Sequence, residues 1–506
     1  MGLHDFTFYD LINRNGVAFA DRTAWIEADD QRSLTFVQYK DCIEHLAKGL
    51  QHLGISKGDR IGILGKNSLE YFLLYGSAAA IGAICLPVNW RLSGPEVAFN
   101  LSDGSPKIIF VDEEYQDLID KEKDTLSSAF AWFNLKNDLG RFSSFQSLMK
   151  NNGDFSPTEV STHDGFVIIH TAAVTGKPRG ALLSHGNVLC ANLHLIHAFG
   201  LSQNDVHLNL LPLFHVGGLF MATNTFHAGA MNVNMSKFDP EKAVTLIQEK
   251  QVTLFFDFPP ILSSIIDASE KTGKSIRSVR AILGLGVPDT ISKYQNITGG
   301  TFYAMYGQTE TSCLATLSPY NEKPGSAGKT ILLSDIRLVD DEDRPVATGE
   351  VGEITVKGPM VFLKYWNLPD DTDYAFRNGW HHTGDLGRFD NDGFLWYAGR
   401  KAEKELIKPG GENVYPAEVE KTILQHPFIE KTVVFGVPDP KWKEGIKAVC
   451  QVKPDKHLNP KELIAFVGER IASFKKPQYV EFVTEMPLKT DGSIDRKKVK
   501  ELYGKP

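Results

Sequence analysis

Short β-branched or aromatic runs alternate with helix-like segments through the first two thirds of the chain, and this alternation limits the fold more than any other feature. Arg60 to Gly65, Lys107 to Asp112, Gly165 to His170 and Thr253 to Asp257 read as strands of βα units, which build mostly parallel sheets flanked by helices. From about Asp335 the pattern changes to turn-separated strands, with Asp340 to Asp343 as a charged turn, so a compact β subdomain is expected there. A chain of 506 residues exceeds what one hydrophobic core can serve. The segment Gly399 to Gly411 places a charge run and a glycine pair between two apolar patterns and marks the expected boundary. The division is then a domain of residues 1–400 and one of residues 401–506. In the second, a helix from near Pro416, a strand over Lys431 to Val437, a helix over Asn459 to Ile471 and a strand over Gln478 to Val483 make a small α+β unit. The expected class is α/β, with a large N-terminal domain, a β subdomain and a small α+β C-terminal domain.

A net charge of -8 is modest for this length and gives nucleic acid binding no electrostatic support. The five cysteines, Cys42, Cys85, Cys190, Cys313 and Cys450, are odd in number and never form a CxxC pair, which argues against a disulfide framework or a zinc site. A reducing cytoplasm fits that usage. The start lacks a basic region followed by an apolar run, and Phe6 stands where a myristoylation signal needs a hydroxyl. Tyr71 to Val88 is uncharged and near spanning length, but its Ala and Gly content and Pro87 favour a buried helix running into a core strand. No membrane span is expected, and a symmetric homodimer is compatible with the reading.

Three segments carry chemistry. His170 to Gly180 (HTAAVTGKPRG) follows an apolar strand and precedes the helix-like run Ala181 to Asn187, so it can aim backbone N–H groups and hydroxyls at a polyphosphate. It is not a Walker A loop, since Pro178 follows Gly176-Lys177. In Tyr303 to Thr311 (YAMYGQTET), Tyr306 can stack on a base and Gly307 permits close backbone approach. Thr309 can meet a phosphate oxygen, and Glu310 can hold magnesium. His382 to Arg400 reads as a glycine-punctuated hairpin with Asp385 at one end and Arg400 at the other, a carboxylate for ribose hydroxyls and a cation for phosphate or sugar. Each piece alone also fits a plain role: an ordinary turn, a buried tyrosine at a strand end, a surface ion pair.

In this order the three pieces resemble the adenylate-forming superfamily of acyl-CoA synthetases, nonribosomal adenylation domains and beetle luciferases. The resemblance runs through Leu211 to Gly218 (LPLFHVGG), Gly349 to Pro359, Gly410 to Glu420, Val437 to Trp442 and Pro487 to Arg496 (PLKTDGSIDR). It implies ATP, Mg2+ and coenzyme A as substrates and activator, with no tightly bound prosthetic group. Thr171, Thr175 and Arg179 would border the pyrophosphate, and Glu310 would coordinate magnesium. Gly286, Val287 and Pro288 would lie along the adenine, with Tyr306 and Gly307 against it, Thr309 at the α-phosphate, Asp385 at the ribose and Arg400 at ribose or phosphate. His215 resembles the aromatic gate between acyl pocket and pantetheine tunnel; Gly410 and Gly411 would line that tunnel, with Trp442 and Lys475 near the nucleotide end of coenzyme A. The small domain would be mobile, rotating between the two half-reactions.

The chain departs from the family at three places. The phosphate loop carries Ala172, Ala173 and Val174 where hydroxyls and glycine are usual. The closing motif reads Gly492-Ser493-Ile494 where the family has Gly-Lys-Ile, and loss of such a donor costs about two to three orders of magnitude in rate. The hinge carries KAEKE between Arg400 and Leu406, with Lys404 the expected pivot. An adenylation-impaired nucleotide- or acyl-CoA-binding protein, or an enzyme of the thioester half-reaction only, is therefore the alternative to a working ligase. Phe214-His215, where amino-acid-activating relatives place an aspartate, disfavours an amino acid substrate, and the ending ELYGKP gives luciferase chemistry no support. The stretches Val216 to Thr223, Asp257 to Leu262, Gly284 to Val287 and Tyr303 to Gly307 hold no arginine for a second carboxylate, so a monocarboxylate, short to medium or aromatic or alicyclic, is expected.

Overall fold

The structure, a computed structural model, describes all residues except 1, 137–139, 151–154, 172–177, 402–405, 410–411, 441, 490–492 and 506. A nine-stranded sheet runs in the spatial order 329–330, 316–319, 301–306, 281–284, 254–257, 206–209, 231–234, 23–27, 33–35. Its inner pairs are parallel and its margins antiparallel, as short crossovers through helices dictate. A seven-stranded sheet follows the order 364–365, 179–184, 165–171, 84–88, 60–64, 108–111, 131–134. The expected β subdomain is a four-stranded sheet of Asp335–Val339, Gly352–Lys357, His381–Phe389 and Leu395–Arg400.

The membrane-like run is a buried helix, Leu69–Ile81, leading into the strand Ile84–Val88. Ser68 caps its first turn, Gly82 ends it at φ 70, and all of its residues are buried in the core that both large sheets share. Among the described residues no helix is long and apolar enough to cross a membrane.

One expectation fails locally. Ala181 to Asn187 is not a helix: Arg179–Ser184 is a strand, and the helix His185–Phe199 starts only after it. Three apolar residues are too few for a helix, and Ser184 with Asn187 forms a reciprocal capping box at the true start.

Chain contacts define two compact units. The first comprises Met1–Trp90, Asn100–His170 and Gly180–Gly399; the second comprises Arg91–Phe99, Thr171–Arg179 and Arg400–Pro506. In the second, the strands Ile429–Asp439, Lys443–Val452 and Tyr479–Val483 form a sheet whose face packs the helices Pro416–Ile423 and Pro460–Gly468 through Val419, Ile423, Leu463 and Val467.

Candidate active site

Three adjacent parallel strands of the first unit, Leu254–Asp257, Ala281–Gly284 and Thr301–Tyr306, end in register at one edge, with Asp257 opposite Gly284 and Gly284 opposite Ala304. Carboxyl ends of parallel strands are where open α/β sheets bind ligands. Gly286, Val287 and Pro288 follow one of these ends, and Pro288 opens the helix Pro288–Thr298 with Val287 at its N-cap. Beyond Tyr306 the chain turns sharply, since a Cβ on Gly307 would lie 2.0 Å from the carbonyl oxygen of Cys313. Glycine is required there because the obstacle is backbone and cannot rotate away.

That turn presents Tyr306 and Gln308 to Asp385. The Tyr306 hydroxyl donates to Asp385 Oδ2 at 2.8 Å, and Gln308 Nε2 donates to the same oxygen at 2.6 Å and to the Thr383 carbonyl at 3.1 Å. Asp385 is 2% exposed, on the strand His381–Phe389. The Tyr397 hydroxyl stands 3.5 Å from Oδ1, and the Tyr306 and Tyr397 rings lie 6.3 Å apart at 29°. Two strong donors on one oxygen fix the carboxylate plane. The structure therefore joins Tyr306, Gly307 and Asp385, and it adds Gln308 and Tyr397, which sequence reasoning passed over. Gln308 was detectable, since it stands inside the motif between Tyr306 and Thr309; nothing in the sequence singled out Tyr397.

Thr309 and Glu310 begin a short turn of helix, Thr309–Thr311. Glu310 is 7% exposed, the Tyr365 hydroxyl donates to its Oε1 at 2.8 Å, and the Phe362 N–H donates to its carbonyl at 2.9 Å. Among the described residues the Tyr365 hydroxyl is the only hydrogen-bond partner of the Glu310 carboxylate, and no cation pairs with it. A carboxylate so buried without a cation is costly unless an ion joins it. Magnesium suits this donor set, because it keeps several waters and needs only one or two protein carboxylates beside substrate phosphates. A different cluster, Asp343, Glu353 and His382, brings three ligating atoms within 4.8 Å. The Arg377 guanidinium already pairs with Asp343 at 3.0 Å and with Glu353 at 3.2 Å, so its cation is built in.

His215 is the N-cap of the helix Val216–His227; its Nδ1 accepts from the Gly217 N–H at 3.2 Å, and its ring meets Phe258 edge-on at 6.3 Å. Phe258 stacks on Phe256 at 4.9 Å, giving an aromatic wall beside the strand end at Asp257.

The remaining candidates belong to the second unit. Thr171 Oγ1 donates to the Arg179 carbonyl at 3.3 Å. Thr175, Lys404, Gly410 and Gly411 lie outside the described residues. Arg400 ends the strand Leu395–Arg400, and Trp442 is 37% exposed. Lys475 is buried and already paired, its ammonium 2.5 Å from Glu96 and 2.6 Å from Glu418. Burial alone would lower its pKa, but the two carboxylates outweigh that and hold it above the ordinary lysine value. Ser493 is exposed, its carbonyl accepts from the Lys489 N–H at 2.7 Å, and Leu488 pairs with Ile494.

The chain matches the AMP-binding enzyme family over residues 12–366 and the AMP-binding enzyme C-terminal domain over residues 418–492, and these matches with the fold define its class. An indoleacetate–CoA ligase of Aromatoleum aromaticum is 33% identical over 483 residues, 94% of each chain. A feruloyl-CoA synthase of Amycolatopsis is 31% identical over 93% of this chain and 94% of its own. Among solved structures, an o-succinylbenzoate CoA synthetase double mutant of Bacillus subtilis, bound with a product analogue, superposes with a TM-score of 0.84 at 27% identity over 98% of both chains. The chain belongs to the adenylate-forming superfamily and is an AMP-forming acid–thiol ligase. ATP and coenzyme A are the substrates that fit this class.

Proposed function

We propose that the chain joins a carboxylic acid to ATP as an acyl-adenylate, releasing pyrophosphate, and then passes the acyl group to the coenzyme A thiol, releasing AMP. One observation carries the reading. A carboxylate locked by Tyr306 and Gln308, Asp385, shares the first unit with a second, buried carboxylate that no cation pairs with among the described residues, Glu310. The first suits the two ribose hydroxyls, and the second would hold a magnesium ion, which would supply positive charge beside the polyphosphate. The strand-end segment 286–288 and the Tyr306 ring then hold the adenine, and Thr309 meets the α-phosphate. Thr171, Thr175 and Arg179 border the pyrophosphate, and Arg400 takes ribose or phosphate. Carboxylate and triphosphate repel, so these donors and cations lower the barrier where charge gathers on the α-phosphate. Residues 401–506 act as the mobile domain, pivoting near Lys404 to bring Gly410, Gly411, Trp442 and Lys475 to coenzyme A.

The acid is an aromatic or alicyclic monocarboxylate. His215, Phe256 and Phe258 support this through their edge-on and stacked contacts, as do relatives named for indoleacetate and ferulate. The free cysteines among the described residues suit a reducing cytoplasm.

Ser493 keeps the second reading, an adenylation-impaired binding protein or a thioester-only enzyme, in play. Lys489 is the substitute lysine we favour, since its N–H donates to the Ser493 carbonyl and its side chain forms no ion pair among the described residues. AMP and pyrophosphate release should be followed with ATP, magnesium, coenzyme A and a panel of aromatic and aliphatic acids. The expected result is turnover by the unmodified chain and its loss in Lys489→Ala. Turnover only in Ser493→Lys would establish the impaired reading, and nucleotide binding without turnover in either would exclude the ligase for every acid in the panel.

A further inference from the structure

Tyr365 enters none of the motifs above, yet it is the group that orients Glu310. It is 2% exposed and held from three sides. Its short strand, Lys364–Tyr365, pairs antiparallel with Arg179–Ser184, setting Tyr365 opposite Ala181. Its N–H donates to Thr372 Oγ1 at 3.0 Å, and its ring lies 4.7 Å from that of Phe362. Phe362 in turn donates its N–H to the Glu310 carbonyl, so the segment 362–365 grips residue 310 by backbone and by carboxylate. A buried tyrosine needs an acceptor for its hydroxyl, and a neutral amide or a carbonyl would serve at far lower desolvation cost. The acceptor is instead an acid with no cation among the described residues.

We infer that Tyr365 is a positioning residue for a divalent cation site at Glu310: its hydroxyl engages Oε1 and turns the carboxylate so that Oε2 is presented to a hard cation bound with the nucleotide. Donors to a metal-binding carboxylate fix its orientation, and losing one costs about ten- to a hundred-fold in metal affinity or activity. The strand that holds Tyr365 pairs with the strand leaving the phosphate loop, so the register of those two strands sets the Tyr365 hydroxyl. The inference rests on Glu310 being the metal carboxylate of the proposed function.

The test uses Mn2+ as the probe and water-proton relaxation enhancement as the readout, with the full chain and ATP but no acid or coenzyme A, so that no turnover is needed. Tyr365→Phe keeps the ring on Phe362 and removes only the hydroxyl. It should weaken enzyme-bound Mn2+ about ten-fold or more, leave metal-free ATP binding unchanged, and recover activity in part at high Mg2+. Thr372→Val, which removes the acceptor for the Tyr365 N–H, should shift Mn2+ affinity in the same direction by a smaller factor. If Tyr365→Phe and Thr372→Val bind Mn2+ as the parent does while Glu310→Gln does not, Tyr365 is a packing residue and the inference falls, with Glu310 retained. If the parent chain shows no enhancement with ATP, the metal role of Glu310 falls and the inference with it.

Discussion

Replacing Glu27 by glutamine should remove a pH dependence from the nine-stranded sheet. Glu27 ends the strand Thr23–Glu27, is 4% exposed, and accepts from Trp25 Nε1 at 2.6 Å and from Asn234 Nδ2 at 3.1 and 3.2 Å. Burial outweighs these donors and lifts the carboxyl from its ordinary 4.5 to about 7. The folded state therefore holds its proton when the unfolded state has lost it. Stability contributed at this site is full below pH 4.5, falls as pH rises, and is lost above pH 7. At about 1.4 kcal/mol for each pH unit, the loss is about 3 kcal/mol. Glutamine cannot ionise, so near pH 4.5 Glu27→Gln should be less stable than the parent by roughly 1 kcal/mol, the cost of its unpaired amide. At pH 8 it should be the more stable by about 2 kcal/mol, once roughly 1 kcal/mol is deducted for an amide N–H2 that needs a new acceptor. Unfolding of a chain with two units is not a single transition, so the measurement is hydrogen exchange in peptides covering residues 23–27 and 231–234, parent against variant at both pH values. An equal difference at the two pH values would mean that Glu27 is charged throughout, and the burial argument would be refuted.

Gln308→Ala removes the 2.6 Å donor to Asp385, a charged acceptor, and should weaken ATP binding by about 1.5–3 kcal/mol in calorimetry, with acid affinity unchanged. In Gly307→Ala the new Cβ meets the Cys313 carbonyl at 2.0 Å, so about 1–3 kcal/mol of stability and most ATP affinity should be lost; thermal melting with and without ATP reads both. Lys475→Met leaves Glu96 and Glu418 buried and facing each other, and the second unit should lose about 3–5 kcal/mol, measured by hydrogen exchange in residues 416–423.

The elements that sequence reasoning located are those where one local signal was enough. Strand runs such as Thr253 to Asp257 were short, apolar and β-branched or aromatic, and Leu254–Asp257 is a strand. The motif Tyr303 to Thr311 announced Tyr306, Gly307 and Glu310 because unusual residue types crowd a short stretch. Tyr365 gave no such signal. It stands 55 residues from Glu310, and only the pairing of Lys364–Tyr365 with Arg179–Ser184 brings its hydroxyl to the carboxylate. The strand Lys443–Val452 was also missed, since lysines and a glycine interrupt its apolar alternation.

The strands Val206–Asn209 and Met231–Asn234 show why such failures gather beside a site. Their polar residues recur at every second position, which reads as a strand with one wet face. Yet His207, Asn209, Asn232 and Asn234 are all buried. The parallel register sets His207 beside Asn232 and Asn209 beside Asn234, and Asn234 beside Glu27 on the next strand. His207 Nδ1 lies 2.8 Å from Asn232 Oδ1, Asn209 Nδ2 donates to Asn234 Oδ1 at 2.8 Å, and Asn234 passes its own N–H to Glu27. Each of these side chains is paired with a neighbour that lies far away in sequence, so the pattern of any one strand misreports its surroundings. A ladder of this kind also fixes register, because a slip of one residue would strand every member without a partner. The strand it fixes at Asn209 leads directly into Leu211 to Gly218, the segment that carries His215. Register held by buried amides is thus what sets the position of the proposed acyl gate, and Glu27, the one ionisable acid on the ladder, is where pH can reach it.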